Sequence, residues 1–587
     1  MVEPDAAGRF LSGLGLDRIF YAPDLVVVTG WSAGAATLAL EGPVGPIAPD
    51  VRVNVPRPDV SAAYAFAGPV HGFLLAFRDP PASACLVARA GAERMRRSEI
   101  AQFPADRLEP DLGRILAEYA AARGPLFDAL RSTPAYLAAV ARAAAPASRP
   151  GAPLGHMDIV KAVPGAGGLC IGWSLGQADL HLVDEAGNWQ SLASAMRWNR
   201  GDIFDGFAGD YGAACADAGF LQALPTPLGP GHMVRLLARD GDDLVLLHER
   251  VVEAAPLDPV GYARWSFGLP VPAEQMVERF SRHDGAVLRT LITRAHEHGS
   301  PPPMVRRAGR VPAEPEVSLL IPLFGRYDFV EHQLLEFADD PFIRDRCEII
   351  YVVDDPGISA PVLAALDMWW QLYGVPITVV WGGRNRGFSG ANNLGLSLAR
   401  GRQVLFLNSD VVPMAPGWLE ALSRRLDDHP EFGLLGTRLL FPSGGVQHDG
   451  MTFEFNGTYG VWLNQHPGKG LPAEDAIPGT VREWPAATGA CLIADRAEIA
   501  ALGGFSEAYL IGDFEDSDLC LKVEASGRRV GVCPDIALTH LERQSFGMHG
   551  TGEFRMRVML FNAWLHQERW RGAIERHAAS WGEEMPA

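Results

Sequence analysis

A chain of 587 residues exceeds what one hydrophobic core usually supports, and its composition, 48% hydrophobic and 21% charged, is that of an ordinary globular protein of several domains. A formal net charge of −19 argues against broad contact with nucleic acid or an anionic membrane. The 7 cysteines are scattered and never form a C-x-x-C pair, which argues against a disulfide framework or structural zinc and for a reducing cytoplasm.

No signal peptide is expected from Met1-Val2-Glu3-Pro4-Asp5, and no apolar run approaches the roughly 20 residues that span a bilayer. The expected location is cytoplasmic, with peripheral contact at the inner face of the cytoplasmic membrane as the most that membrane association would amount to.

Two Pro/Ala/Gly-rich stretches, 144–153 and 300–315, read as linkers. They predict a β-rich repeat with helices at 1–148, a second at 149–300, a Pro-rich linker at 301–315 and an α/β domain at 316–587. The first two segments read as copies spaced by about 140 residues. Leu25 to Gly34 matches Gly168 to Gly176, Arg57-Pro58-Asp59 matches Arg200-Gly201-Asp202, Phe66-Ala67-Gly68 matches Phe207-Ala208-Gly209, and Gly72-Phe73-Leu74 matches Gly219-Phe220-Leu221.

Alternating runs such as Ala36 to Leu40 and Asp179 to Val183, divided by Gly, Pro and Asp, predict a small β-sandwich in each copy. Each copy ends in helix, with Leu112, Ile115, Leu116 and Tyr119 at i, i+3, i+4 and i+7, and Val277 to Leu291 patterned likewise. The repeated Gly-Trp and Arg-x-Asp suit either a sugar-binding platform or core tryptophans beside structural ion pairs.

From Val317 the pattern changes. Continuous apolar runs at 317–322, 348–354, 377–381 and 403–407 alternate with helical stretches at 329–338 and 391–399. That predicts an α/β domain whose ligands bind beyond the carboxyl ends of buried parallel strands, where Asp354 and Asn408-Ser409-Asp410 stand. Glu515-Asp516, ahead of Leu519-Cys520-Leu521, and the lone His540 complete a spaced polar set suited to metal-assisted transfer.

The motifs follow in order: Val352-Val353-Asp354-Asp355, Asn385-Arg386-Gly387-Phe388-Ser389-Gly390-Ala391-Asn392-Asn393, Leu407-Asn408-Ser409-Asp410, Gly444-Gly445-Val446-Gln447-His448-Asp449-Gly450, Thr488-Gly489-Ala490-Cys491, Gly503-Gly504-Phe505 and Glu515-Asp516-Ser517-Asp518. With this series, residues 316–571 resemble a bacterial family 2 glycosyltransferase of GT-A fold, of the kind that builds O-antigen and related surface glycans.

The resemblance implies inverting transfer of a hexosyl or deoxyhexosyl group from a UDP-, dTDP- or GDP-sugar to a saccharide or lipid-linked acceptor. In it Asp516 is the catalytic base, and Glu515 orients the acceptor or tunes its neighbour. Asp410 binds Mg²⁺ or Mn²⁺, and His540 completes the metal shell. The family's Asp-x-Asp reads Asn408-Ser409-Asp410 here, with one carboxylate lost. The resemblance assigns the donor to Asp354, Asn385, Arg386, Gly387, Asn392, Asn408 and Ser409, with Arg384 a second candidate for phosphate. Lys469 is either a diphosphate contact or an exposed loop lysine, and Trp484 is positioned to stack on the acceptor sugar.

Blander readings stay open: a strand-end turn for Asp410, a solvated helix start for Glu515 and Asp516, a turn and helix cap for 385–393. So do a non-catalytic glycan-binding scaffold with a degenerate transferase domain, and a sugar nucleotidyltransferase. The latter needs a Gly-rich basic loop after its first strand, where this chain has Pro322-Leu323-Phe324-Gly325-Arg326. Homo-oligomerisation through the N-terminal segments also stays open.

Overall fold

The computed structural model describes residues 9–11, 13–33, 36–63, 70–90, 94–99, 112–119, 122–130, 133–143, 152–176, 178–185, 188–240, 243–297, 301–541 and 552–584. Phe66-Ala67-Gly68, Gly34 and most of the 144–153 stretch lie outside them. The chain divides into two compact units, Met1–Ala255 and Pro256–Ala587.

In the first unit, one module pairs strands Leu14–Ala22, Leu25–Ala33, Val70–Arg78 and Val51–Pro56 in that spatial order, and stacks them on a second sheet ordered Gly45–Ile47, Ala36–Gly42, Cys85–Ala90, Arg94–Glu99. A second module pairs Leu154–Val163, Gly167–Leu175, Gly219–Leu224 and Met196–Trp198, beside Trp189–Ser191, Asp179–Asp184, Met233–Asp240 and Asp243–Val251.

The period-2 alternation of a strand explains why 25–28 is a continuous apolar run. Val26 and Val28 face the sandwich core with Leu40 and Leu86, whereas Leu25 and Val27 pack on the helices carrying Leu112, Leu126 and Leu137. Arg57 is committed to Asp17 and to Asp59 (2.7 Å), and Arg200 to Asp158 (2.8 Å) and Asp202 (2.6 Å). Trp31 is buried against Val60 and Val70, and Trp173 packs on Phe207. These contacts are the structural alternative to a sugar platform.

The second unit starts upstream of the sequence-predicted boundary at 316. Helix α1 (Pro259–Phe267), for which no sequence pattern raised an expectation, and helix α2 (Gly285–Glu297), expected to finish the second repeat, belong to it. Between them Phe280 meets Phe561 of the C-terminal helix edge-on at 5.3 Å, and Phe267 lies 6.1 Å from the same ring. Their apolar stripe therefore has a partner within this unit. The predicted linker also contains a strand, β1 (Met304–Ala308), which pairs antiparallel with Ile377–Trp381. Proline density at 301–303 marks only the approach to that edge strand.

Then follow β2 (Val317–Leu323), α3 (Phe329–Asp339), β3 (Cys347–Val353), α4 (Pro356–Tyr373), β4 (Ile377–Trp381), α5 (Gly387–Leu398), β5 (Gln403–Leu407), β6 (Val411–Pro413), β7 (Phe432–Leu440), β8 (Cys491–Asp495), α6 (Glu515–Ala525), β9 (Arg529–His540) and α7 (Gly552–Glu584). They build a mixed sheet ordered β1-β4-β3-β2-β5-β8-β7-β9-β6.

β4, β3, β2 and β5 are parallel; β8 runs antiparallel beside β5. Helices α3 and α4 cover one face through Val330, Leu334, Val362 and Leu366, and α5 and α6 cover the other through Ala391, Leu519 and Leu521. Burial on both faces accounts for the unbroken apolar strands read from the sequence. Among the described residues no helix is long and apolar enough to cross a membrane.

Candidate active site

A cavity of about 860 Å³ opens at the carboxyl ends of β2, β3 and β5. Asp354 enters it from the end of β3, Asn408, Ser409 and Asp410 from the end of β5, and Asn385, Arg386 and Gly387 from the start of α5. Glu515 and Asp516 enter from the start of α6, and His540 from the end of β9. The fold thus brings together residues that are as much as 186 positions apart (540 − 354).

Asp354 is buried, which pushes its carboxyl up to about 7 against the pull of the Arg386 and Gly387 N–H groups. Arg386 N–H donates to its Oδ1 at 2.6 Å. Asn385 Oδ1 accepts from Gly387 N–H (2.9 Å), and Gly387 takes φ +70°, a left-handed geometry that suits glycine. This turn keeps two guanidiniums, Arg384 and Arg386, on the cavity wall, a charge pair suited to a diphosphate.

The Asn408-Ser409-Asp410 turn is pinned from below. Buried Gln333 donates to Asn408 O and Val411 O, both at 2.9 Å, and Asn408 N–H donates to Ala490 O. His540 Nε2 stands 3.2 Å from Asp410 Oδ1, and its Nδ1 stands 2.5 Å from Gln447 Oε1.

The Gln447 amide donates through Nε2 to His540 O, so its oxygen faces the ring and Nδ1 must carry the proton. Nε2 is left facing the Asp410 carboxylate, where a cation between the two would find one nitrogen and one oxygen donor. One imidazole and one carboxylate, with water and diphosphate oxygens to complete the shell, fit Mn²⁺ or Mg²⁺. Among the described residues no group of three or more His, Cys, Asp or Glu is placed to hold a metal ion by itself.

Glu515 and Asp516 differ in environment. Burial and the adjacent Asp516 push the Glu515 carboxyl well above the usual range. Burial also raises Asp516, but its Oδ2 accepts from Gly489 N–H (3.1 Å) and its Oδ1 from Ser517 N–H (2.8 Å), which favour the carboxylate. The start of α6 adds a positive dipole end. Asp516 is therefore the more readily ionised of the two and Glu515 the more readily protonated, the direction of split expected of an acid–base pair.

Three sequence candidates do not line the cavity. Asn392 is buried and donates to Phe388 O of its own helix (3.0 Å), because its position faces the sheet. Trp484 lies over Gly450, where a Cβ would meet the indole at 2.1 Å, so its face packs on backbone. Lys469 extends over the Phe441 ring at 5.7 Å.

Conversely, the motif series passed over Asp258, Pro259, Ile292 and His296 of the α1–α2 segment, and Tyr509 to Asp513 ahead of α6, all of which form walls. His296 lies 3.6 Å from Glu507, and Arg384 donates to Ala295 O (2.7 Å). No motif marks these residues, since their place depends on how α2 packs.

Residues 318–465 match the family described as glycosyl transferase family 2. The second unit carries a family 2 glycosyltransferase domain. Over 251 residues, 42% of this chain, the sequence is 30% identical to the O-antigen biosynthesis protein RfbC of Myxococcus xanthus, covering 19% of that protein. It is 32% identical over 210 residues, 35% of this chain, to the uncharacterized protein y4gI of Sinorhizobium fredii (strain NBRC 101917 / NGR234), covering 23% of it. The matches thus span about a fifth of the length of these curated relatives.

A crystal structure of GalNAc-T7 with UDP, GalNAc and Mn²⁺ aligns with this chain at 14% identity and a TM-score of 0.33, covering 44% of this chain and 49% of the other.

Proposed function

We propose that the protein transfers a glycosyl group from a nucleotide-diphosphate sugar to a saccharide or lipid-linked acceptor, with inversion, in the assembly of a surface polysaccharide. The observation that carries this reading is the convergence of Asp516, held as a carboxylate by two N–H donors, with Asp410 and His540 in one cavity. The similarity to an O-antigen biosynthesis protein supports the polysaccharide context.

In this reading Asp354 and the 385–387 turn hold the nucleoside, and Arg384 and Arg386 hold the diphosphate. Asp516 takes the proton of the acceptor hydroxyl, whose oxygen attacks the anomeric carbon as the bond to the diphosphate oxygen breaks. Asp410 and His540 would hold a divalent cation, which supplies positive charge to the leaving diphosphate. Glu515, protonated, orients the acceptor.

The Met1–Ala255 unit is read as a duplicated β-sandwich. The matching strand orders and the paired Asp17–Arg57–Asp59 and Asp158–Arg200–Asp202 clusters support that.

The test is a calorimetric screen of UDP-, GDP- and dTDP-sugars with and without Mn²⁺, followed by transfer assays of the wild type and Asp516→Asn. One nucleotide sugar bound only with metal, and turnover lost in the variant, is the expected result. Metal-independent binding together with undiminished turnover would overturn it.

A further inference from the structure

The segment that leads into Glu515 and Asp516 is backbone-strained. Ile511, Asp513 and Phe514 take φ values of +67°, +94° and +74°, a region that side chains with a Cβ rarely occupy and a β-branched residue least of all. Such geometry persists only where surrounding contacts over-determine it.

Here four of the contacts come from one residue on α7. Asn562 is wholly buried; its Oδ1 accepts from Leu510 N–H (2.9 Å), and its Nδ2 donates to the carbonyls of Leu510 (3.0 Å), Gly512 (2.9 Å) and Asp513 (3.3 Å). One side chain thus joins both sides of the strained turn.

The same face of α7 continues toward α6. At i+4, His566 lies 3.2 Å from Ser517 Oγ, and at i+7 and i+8 Arg569 (2.9 Å) and Trp570 (2.7 Å) donate to Asp518 Oδ1. Tyr509, at the start of the turn and on the cavity wall, donates to the same oxygen (3.2 Å). Of these groups Asn562 and His566 are buried, where a polar group is costly unless it has a partner, and their partners here are the turn and Ser517 of α6.

We infer that Asn562 is a positioning residue: it holds the Leu510–Phe514 turn in its left-handed form and thereby sets the direction in which α6 presents Asp516 to the cavity. This rests on the transferase reading for its kinetic consequence, but not for its structural one. Without the amide, the turn relaxes to negative φ and the start of α6 turns with it, while the donor-side groups on β3, β5 and α5 stay in place. Glycine takes φ near +67° without strain, so Ile511→Gly should offset part of the loss of Asn562.

The full chain is made as Asn562→Ala, Ile511→Gly and the double variant. Each is measured for kcat, donor KM, thermal midpoint and hydrogen exchange of the 509–517 peptide. The expected result for Asn562→Ala is a kcat lowered about 30-fold or more with donor KM within about 3-fold, and faster exchange confined to 509–517. The double variant should recover at least 3-fold in kcat over Asn562→Ala.

Unchanged exchange in 509–517, or a kcat loss that only tracks the folded fraction with no recovery in the double variant, would overturn the inference. If the wild type transfers no sugar while exchange in 509–517 still rises in Asn562→Ala, the transferase reading fails and the turn-holding role stands.

Discussion

His540 and Asp410 face each other at 3.2 Å across the mouth of β5, and the imidazole is oriented by Gln447 on its far side. Ligand orientation by an outer hydrogen bond typically contributes 10–100-fold to metal affinity. Gln447→Ala should weaken Mn²⁺ binding about tenfold, and His540→Ala more, as read by calorimetry on the full chain. Chelation should abolish transfer, and added Mn²⁺ should restore it. Equal Mn²⁺ affinity in wild type and His540→Ala would remove His540 from the shell.

Asp516 and Glu515 should separate in a mutant pair. Asp516→Asn keeps the shape and one of the two N–H contacts but cannot take a proton, so kcat should fall by about 10²–10⁴ with nucleotide affinity unchanged. Glu515→Gln mimics the protonated state that burial already imposes, so kcat near neutrality should stay within about tenfold. Steady-state kinetics with separate binding measurements distinguishes the two.

Asp354 links stability to pH. Its carboxyl is raised from an ordinary 3.8 to about 7, so between these values the folded protein keeps a proton that the unfolded chain has lost. The folded state binds more protons there, and stability falls as pH rises through that window and levels off above it. Asp354→Asn removes the titration. It should match the wild type near pH 4 and exceed it at pH 8 by on the order of 2–4 kcal/mol, read from denaturant unfolding of the transferase unit. A gap that does not widen with pH would contradict the assignment.

Between α1 and α2, Arg279 and Asp284 form a fully buried ion pair at 2.6 Å, and a π-helical turn over Phe280–Asp284 brings them together. Removing one partner strands a buried charge, so Asp284→Ala should cost roughly 3–5 kcal/mol, whereas Arg279→Met with Asp284→Leu should cost far less. Thermal unfolding of the two variants beside the wild type checks this. The α1–α2 segment lines the cavity, so the single variant should also raise donor KM.

The alternation of buried strands with helices from Val317, and the polar residues at strand ends, are local patterns. They put Asp354 and Asn408-Ser409-Asp410 at the ligand end of the sheet before any tertiary contact is known. Glu515 and Asp516 were legible for the same reason, as acids at the start of an apolar helix. The 301–315 stretch was misread because proline density outweighed the short β1 pattern, and an edge strand is defined by its partner, β4, some 70 residues on (377 − 304 = 73). The boundary at 316 left α2 with the second repeat because an apolar helix stripe says that it will be buried, not against what.

By itself, then, the sequence determined the α/β class, the ordered motif series and the cavity residues that sit at element ends, because periodicity and end position are encoded within a few residues. Tertiary structure decided the rest. It turned Asn392 toward its own helix and Trp484 onto Gly450, and it brought α2 and the Tyr509–Asp513 turn to the cavity wall. It also gave Asn562, 46 residues after Asp516 (562 − 516), the backbone of the turn that orients that carboxylate. Which side chain meets which depends on packing between distant elements, and only the folded chain brings them within hydrogen-bonding reach.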